Sequence, residues 1–139
     1  MYHNLPKPLL GKEGMQLVTK AHKEDCMKEI KAIIRPSKLL EVTEELHRID
    51  GLPGVTVSEI KGFGKSRAKS AKDKVVYELV EFIPRIQLEV VVNDEMVAEV
   101  VNVIQKFSHT GNTGDGKIFV VNVEEVVKIR TNERGGEAI

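Results

Sequence analysis

The chain has 139 residues, with 21 Lys and Arg balanced by 21 Asp and Glu, 41% hydrophobic and 30% charged. That is the size and composition of one soluble domain. Zero net charge removes the bulk electrostatic argument for a nucleic-acid binder, and no Trp with only two Tyr and four Phe leaves little to stack bases on. The single cysteine, Cys26, excludes an intrachain disulfide framework and a CxxC metal site, and fits a reducing, cytoplasmic compartment; no apolar run approaches the roughly 18 residues of a membrane span.

Residues 1–26 carry Pro, Gly and mixed charge without sustained periodicity and read as a flexible N-terminal extension, with a short helix around Met15–Lys20. From Met27 the patterning is regular. KEIKAIIR alternates, with Ile30, Ala32 and Ile34 on one face, which predicts a strand. Pro36 ends it, and Ser37 is placed to cap a helix with Leu39, Val42, Leu46 and Ile49 on its apolar stripe. Asp50–Gly51 and Pro53–Gly54 form a turn cluster, VTVSEIK a second strand, and Gly62-Phe63-Gly64 its end.

The stretch 65–74, KSRAKSAKDK, has five basic residues against one acid and nothing apolar larger than Ala, so it predicts an exposed loop. VVYELVEFIPRIQLEVVV then reads as a long strand with Ile86, Leu88 and Val90 on one face; Pro84 suggests an edge position or a bulge. Asn93 stands where a cap belongs, ahead of a helix carrying Met96, Val97, Val100, Val101 and Ile104. SHTGNTGDG is a Gly-rich loop, KIFVVNV a fourth strand, and VVKIRT a short extra β piece before a polar tail.

The order β-α-β-β-α-β predicts an α+β, ferredoxin-like sandwich: a four-stranded antiparallel sheet with two helices on one face. The other face needs a cover and no third helix is predicted, so self-association is expected.

Three features could carry chemistry. In Thr110–Lys117 the glycines let backbone N–H groups approach an anion, and Lys117 adds a point charge; it is not a Walker A loop, since a strand follows rather than a helix. The alternative is a plain surface turn. Lys128 and Arg130, two apart on a predicted strand, would share one face and suit a polyanion, or simply line a solvated edge. The long basic 65–74 loop suggests partner docking or a ligand-ordered switch, against a merely tolerated loop. His3, His22, His47 and His109 show no metal-ligand spacing, Cys26 has no base beside it, and no catalytic constellation is visible, so no metal and no catalytic residue are assigned.

With these segments placed, residues 27–139 resemble the PII signal-transduction family, the nitrogen regulatory P-II proteins, as a divergent member. The resemblance rests on MKEIKAIIRPSKL, VTVSEIKGFG, TGNTGDGKIFV and KIRTNERGGEAI. It implies the ferredoxin-like fold, a homotrimer, ATP or ADP in clefts between subunits, and a T-loop (65–78) that contacts a target protein, with the B-loop at 108–117 and the C-loop at 128–134. Carried over by position, Thr56 meets the adenine, Gly62 and Gly64 lie at the T-loop base, and Gly114, Asp115, Gly116 and Lys117 cradle phosphate. Arg130 is one basic clamp, and Lys128 replaces the arginine of the other, keeping charge but losing bidentate contact.

Ser66 stands where the family has a glutamine that helps hold Mg²⁺ and 2-oxoglutarate, and Arg85 where it has the lysine that pairs with 2-oxoglutarate. These two are the candidate effector-binding positions, and the response to either effector stays open. Glu78 occupies the position that some relatives uridylylate, with Tyr77 beside it. Lys65, Arg67, Lys69, Lys72 and Lys74 form a partner-binding loop of unfamiliar sequence.

The expected function is therefore a non-enzymatic, allosteric regulator of an unidentified transporter or enzyme, nucleotide-controlled and without membrane insertion. One alternative is a PII-like regulator of a heavy-metal efflux or inorganic-carbon system, indifferent to 2-oxoglutarate, an analogy suggested by the Glu133–Ile139 ending. An alternative of another class is a slow ATPase, for which Asp115 is the only acid in the loop.

Overall fold

The structure, a computed structural model, describes residues 26–63 and 82–139. The Met15–Lys20 helix, the 65–74 loop, Gly64, Ser66, Tyr77, Glu78 and the first part of the long strand lie outside them. The described elements follow the expected order: β1 Met27–Ile34, α1 Leu39–His47, β2 Thr56–Gly62, β3 Ile83–Asn93, α2 Val97–Ser108 and β4 Lys117–Val123. The sheet order is β2-β3-β1-β4, with every neighbouring pair antiparallel. This is the split-βαβ, ferredoxin-like arrangement.

Alternation in the strands decides what is buried. Ile30, Ala32 and Ile34 of β1 stand opposite Val90, Leu88 and Ile86 of β3, and all six are buried. Val42, Leu46 and Ile49 from the first helical segment, and Val100 and Ile104 from α2, close over them. Each large aliphatic side chain so buried contributes about 1.5–3 kcal/mol relative to exposure. The opposite face carries Glu29, Lys31 and Ile33 beside Val121, Phe119 and Lys117 of β4. Phe119 and Val121 remain exposed there, and Lys31 pairs with Glu89 at 3.7 Å.

Both helix starts differ from the capping expectation. Pro36 opens a 3-10 turn, Pro36–Lys38, so Arg35 takes the N-cap position and Ser37 lies inside the turn without capping anything. Proline's fixed φ is enough to start the turn without a side-chain acceptor. Asn93 does precede a 3-10 turn, Asp94–Met96, in extended geometry, but its side chain makes no cap bond, and its Oδ1 is buried without a partner among the described residues. The turn is tied to the sheet instead by the Asp94 N–H, which donates to the Cys26 carbonyl at 3.0 Å.

Pro84 lies on an interior strand, without a bulge: its register with Lys61 of β2 is continuous. It is tolerated because β1 ends at Ile34, opposite Ile86, so Pro84 overhangs β1 and has a neighbour on one side only. The C-terminal segment is also corrected. VVKIRT forms no strand but a turn closed by a single bridge, Val127 to Arg134, with Lys128 N–H on the Glu133 carbonyl and Asn132 in the left-handed region at φ 61°. The chain then ends in a 3-10 turn, Gly135–Ala138, with Ala138 buried, rather than in a free polar tail.

Candidate functional site

The Gly-rich segment joins the C-terminus of α2 to the start of β4 and sits at one end of the sheet. Its shape depends on backbone that only glycine supplies cheaply. Gly114 and Gly116 have φ of 97° and 102°. Gly116 also has no room: a Cβ there would overlap the Ile33 carbonyl oxygen and come to 2.8 Å from its carbon. The loop is therefore pressed onto the end of β1.

Asp115 organises this loop from within. One carboxylate oxygen accepts the Thr110 and Gly111 N–H groups, each at 2.9 Å; the other accepts the Thr110 hydroxyl and, at 3.0 Å, the Arg35 Nε. The Thr110 hydroxyl and N–H bonds, joined by Arg35 and the Gly111 N–H, hold the carboxyl well below the usual carboxylate range despite some desolvation. A carboxylate so depressed and so fully engaged is a poor general base.

Two cations stand around the loop beside Arg35. The Nη2 of Arg85, reaching across from β3, lies 3.1 Å from where a Gly114 Cβ would be, and the Nη2 of Arg35 lies 3.5 Å from the same point. Arg85 donates to the Pro84 carbonyl at 3.1 Å. Lys117 opens β4 and is exposed. Among the described residues, Asp115 is the one carboxylate paired with any of these three cations. The loop end of the sheet thus joins positive-φ backbone to uncompensated positive charge, a concavity suited to an anion.

The structure gathers some of the expected residues and separates others. Gly114, Asp115, Gly116, Lys117 and Arg85 meet at this end, and Gly62, opposite Ile83, ends β2 there too. Phe63 and Phe82, flanking the segment outside the described residues, pack edge to face with centroids 5.4 Å apart. Thr56 lies elsewhere. It is on β2, and β2 and β4 are the two outer strands, about 14 Å apart at the usual strand spacing. Lys128 and Arg130 follow the other end of β4, about 20 Å along that strand from Lys117. Arg130 lies in the 127–134 turn, so the expectation that the two cations share a strand face fails.

Sequence reasoning missed Arg35. Its only local signal is its position before Pro36, which looks like an ordinary solvated strand end; its partners, Thr113 and Asp115, are some eighty positions away. Also unforeseen was a cavity of about 310 Å³ beneath the loop, lined by Ile34, Ile104, Ser108, Gly116 and Lys117 among others. The buried Ser108 hydroxyl has no hydrogen-bond partner among the described residues.

Among the described residues there is no cluster of three or more His, Cys, Asp or Glu able to hold a metal, and no helix long and apolar enough to cross a membrane. Residues 27–133 match the family described as Nitrogen regulatory protein P-II. The chain is 50% identical over 113 residues to the nitrogen regulatory protein P-II of Azospirillum brasilense, covering 81% of this chain and all of that one. The P-II protein of Rhodospirillum rubrum is 48% identical over the same extent. Among solved structures, Arabidopsis thaliana PII bound to citrate superposes with a TM-score of 0.67 at 36% identity, covering 83% of this chain and 94% of that one. A B. subtilis GlnK-ATP complex superposes with a TM-score of 0.66 at 31% identity, covering 83% and 99%.

Proposed function

Because this chain belongs to the nitrogen regulatory protein P-II family and is a PII signal-transduction regulator, we propose that it binds ATP or ADP at the Gly-rich loop and passes nucleotide state to a target protein. The observation that carries this reading is the loop itself. Positive-φ glycines open its backbone, Asp115 is turned inward onto loop amides, and Lys117 and Arg85 are left to face an anion. A likeness to a GlnK bound to ATP supports the nucleotide class.

The cleft lies between subunits of a homotrimer. Thr56, Lys128 and Arg130 are the remaining nucleotide candidates; Thr56 opens β2, the outer strand away from β4, and Lys128 and Arg130 come after the end of β4 opposite Lys117. A second copy supplies them without distorting either fold, and a cyclic assembly also covers the Phe119 and Val121 face. Different nucleotides act by binding the arrangements of the 65–78 loop with different affinity, which is the only way a ligand shifts such an equilibrium. The protein is a binder rather than an enzyme: Asp115, the acid a slow ATPase would need, is committed to the loop.

Calorimetry on the purified protein with ATP, ADP and AMP tests this. Lys117→Ala should weaken ATP by about tenfold, the worth of a charged hydrogen bond. Unchanged affinity would overturn the assignment of the loop.

A second reading, a carboxylate effector, is favoured by the convergence of Arg35 and Arg85 on Gly114. Two guanidiniums are a natural seat for a carboxylate, and the Arabidopsis PII holds citrate. Repeating the ATP titration with 2-oxoglutarate and Mg²⁺ separates a nitrogen-type sensor, whose nucleotide affinity rises, from a regulator of another system that is indifferent to it.

A further inference from the structure

We infer that Arg35 is a positioning residue for the Gly-rich loop, holding it in ligand-ready shape through Asp115 and Thr113 rather than by touching nucleotide. This rests on the nucleotide reading above and deepens it.

The sequence places Arg35 directly after β1, at the end of the sheet where the loop rests. Pro36 confines Arg35 to extended backbone, φ −68° and ψ 140°. It therefore continues the strand direction past Ile34, beside the place where Gly116 rests on Ile33. One guanidinium then grips the loop on both sides of Gly114. Nε donates to the Asp115 carboxylate at 3.0 Å and Nη2 to the Thr113 carbonyl at 2.9 Å. Asp115 carries the grip onward to Thr110 and Gly111. A single side chain thus ties residues 110, 111, 113 and 115 to the sheet.

The loop would otherwise hold by fewer ties a conformation rich in left-handed glycines, which lose the most freedom on ordering. An unanchored loop binds more weakly because only its competent fraction counts. Lysine cannot replace this: it is a point charge on a flexible stem, able to meet Asp115 but not to present two fixed donors.

The experiment measures ATP affinity by calorimetry for the wild type, Arg35→Ala, Arg35→Lys, Asp115→Asn and the Arg35→Ala/Asp115→Asn pair. Hydrogen exchange at the Thr110 and Gly111 amides is followed in the same proteins without nucleotide. Arg35→Ala should weaken ATP by about tenfold and speed exchange at both amides. Arg35→Lys should recover part of each loss. The double variant should lose less than the product of the two single losses, because both changes cut the shared Arg35–Asp115 tie.

Multiplying single effects with unchanged amide exchange would show Arg35 to be a direct phosphate contact and overturn the proposal. So would wild-type affinity in Arg35→Ala. If the wild type binds no nucleotide, the functional reading falls, and the exchange data alone still decide whether Arg35 orders the loop. If Arg35→Ala does not fold, Arg35→Lys carries both readouts.

Discussion

Replacing Gly116 by Ala puts two separate loads on the site. The backbone φ of 102° lies in a region that residues with a Cβ rarely occupy, and the added methyl would overlap the Ile33 carbonyl oxygen, 2.8 Å from its carbon and 3.5 Å from the Ile34 Cα. The first load costs about 1–3 kcal/mol, and forcing a methyl against close-packed backbone costs about the same again. The carbonyl cannot rotate away, because Ile33 is paired to Lys117 on one side and Gln87 on the other.

The loop must therefore lift, or β1 must shift. A loss of about 3–4 kcal/mol corresponds to a fall in melting temperature of roughly 10 °C for a chain of this size. If the loop lifts, part of that loss appears as weakened ATP binding instead. Differential scanning calorimetry at fixed protein concentration, paired with ATP titration, reads both. Gly111→Ala, where φ is 87° but only the His109 ring comes near, at 3.8 Å, should cost about 1 kcal/mol. Gly54→Ala, with nothing within 4 Å, should be neutral. If Gly116→Ala melts with the wild type and binds ATP equally well, the close approach of loop to strand is wrong, and so is the reasoning built on it.

Two further outcomes follow from the same geometry. Asp115 has a folded pKa below its unfolded value, so its contribution is fully present above about 3.9 and is lost only as pH falls through the lower folded value. Amide exchange at Thr110 and ATP affinity should therefore show no Asp115-dependent step between pH 8 and about 5, whereas Asp115→Asn should be impaired throughout; a step in that window that disappears in Asp115→Asn refutes the assignment. Ser108→Ala removes a buried hydroxyl without a partner among the described residues and should raise stability by up to about 1 kcal/mol in denaturant unfolding. A loss of that size instead would show that the hydroxyl holds an ordered water in the cavity beneath the loop.

Much of the fold was legible in the chain because it is local. Ile30, Ala32 and Ile34 recur every second residue, and Val42, Leu46 and Ile49 at helical spacing, so each element carries its own period and its own buried face. KIFVVNV coincides with β4 to the residue, bounded by a Gly-rich turn. The family resemblance was legible in contiguous stretches such as TGNTGDGKIFV and needed no geometry. Local rules failed where short-range alternatives compete. A 3-10 turn starts each helical segment, with Pro36 opening the first, and neither uses the Ser37 or Asn93 side chain; VVKIRT, alternating enough for a strand, closes into a turn because the segment pairs with its own downstream residues at Arg134.

What the sequence determined by itself was therefore the set of elements, their order and the loop chemistry, all written within a few residues of one another. Only the tertiary structure decided what that chemistry meets. It placed Arg35 against Asp115, brought Arg85 to Gly114, pressed Gly116 onto Ile33, and put Thr56 on the outer strand away from β4. The physical reason is that periodicity fixes which face a residue occupies, whereas strand order and register fix which distant residues share that face. Those depend on how the whole sheet assembles, to which no short window of sequence has access.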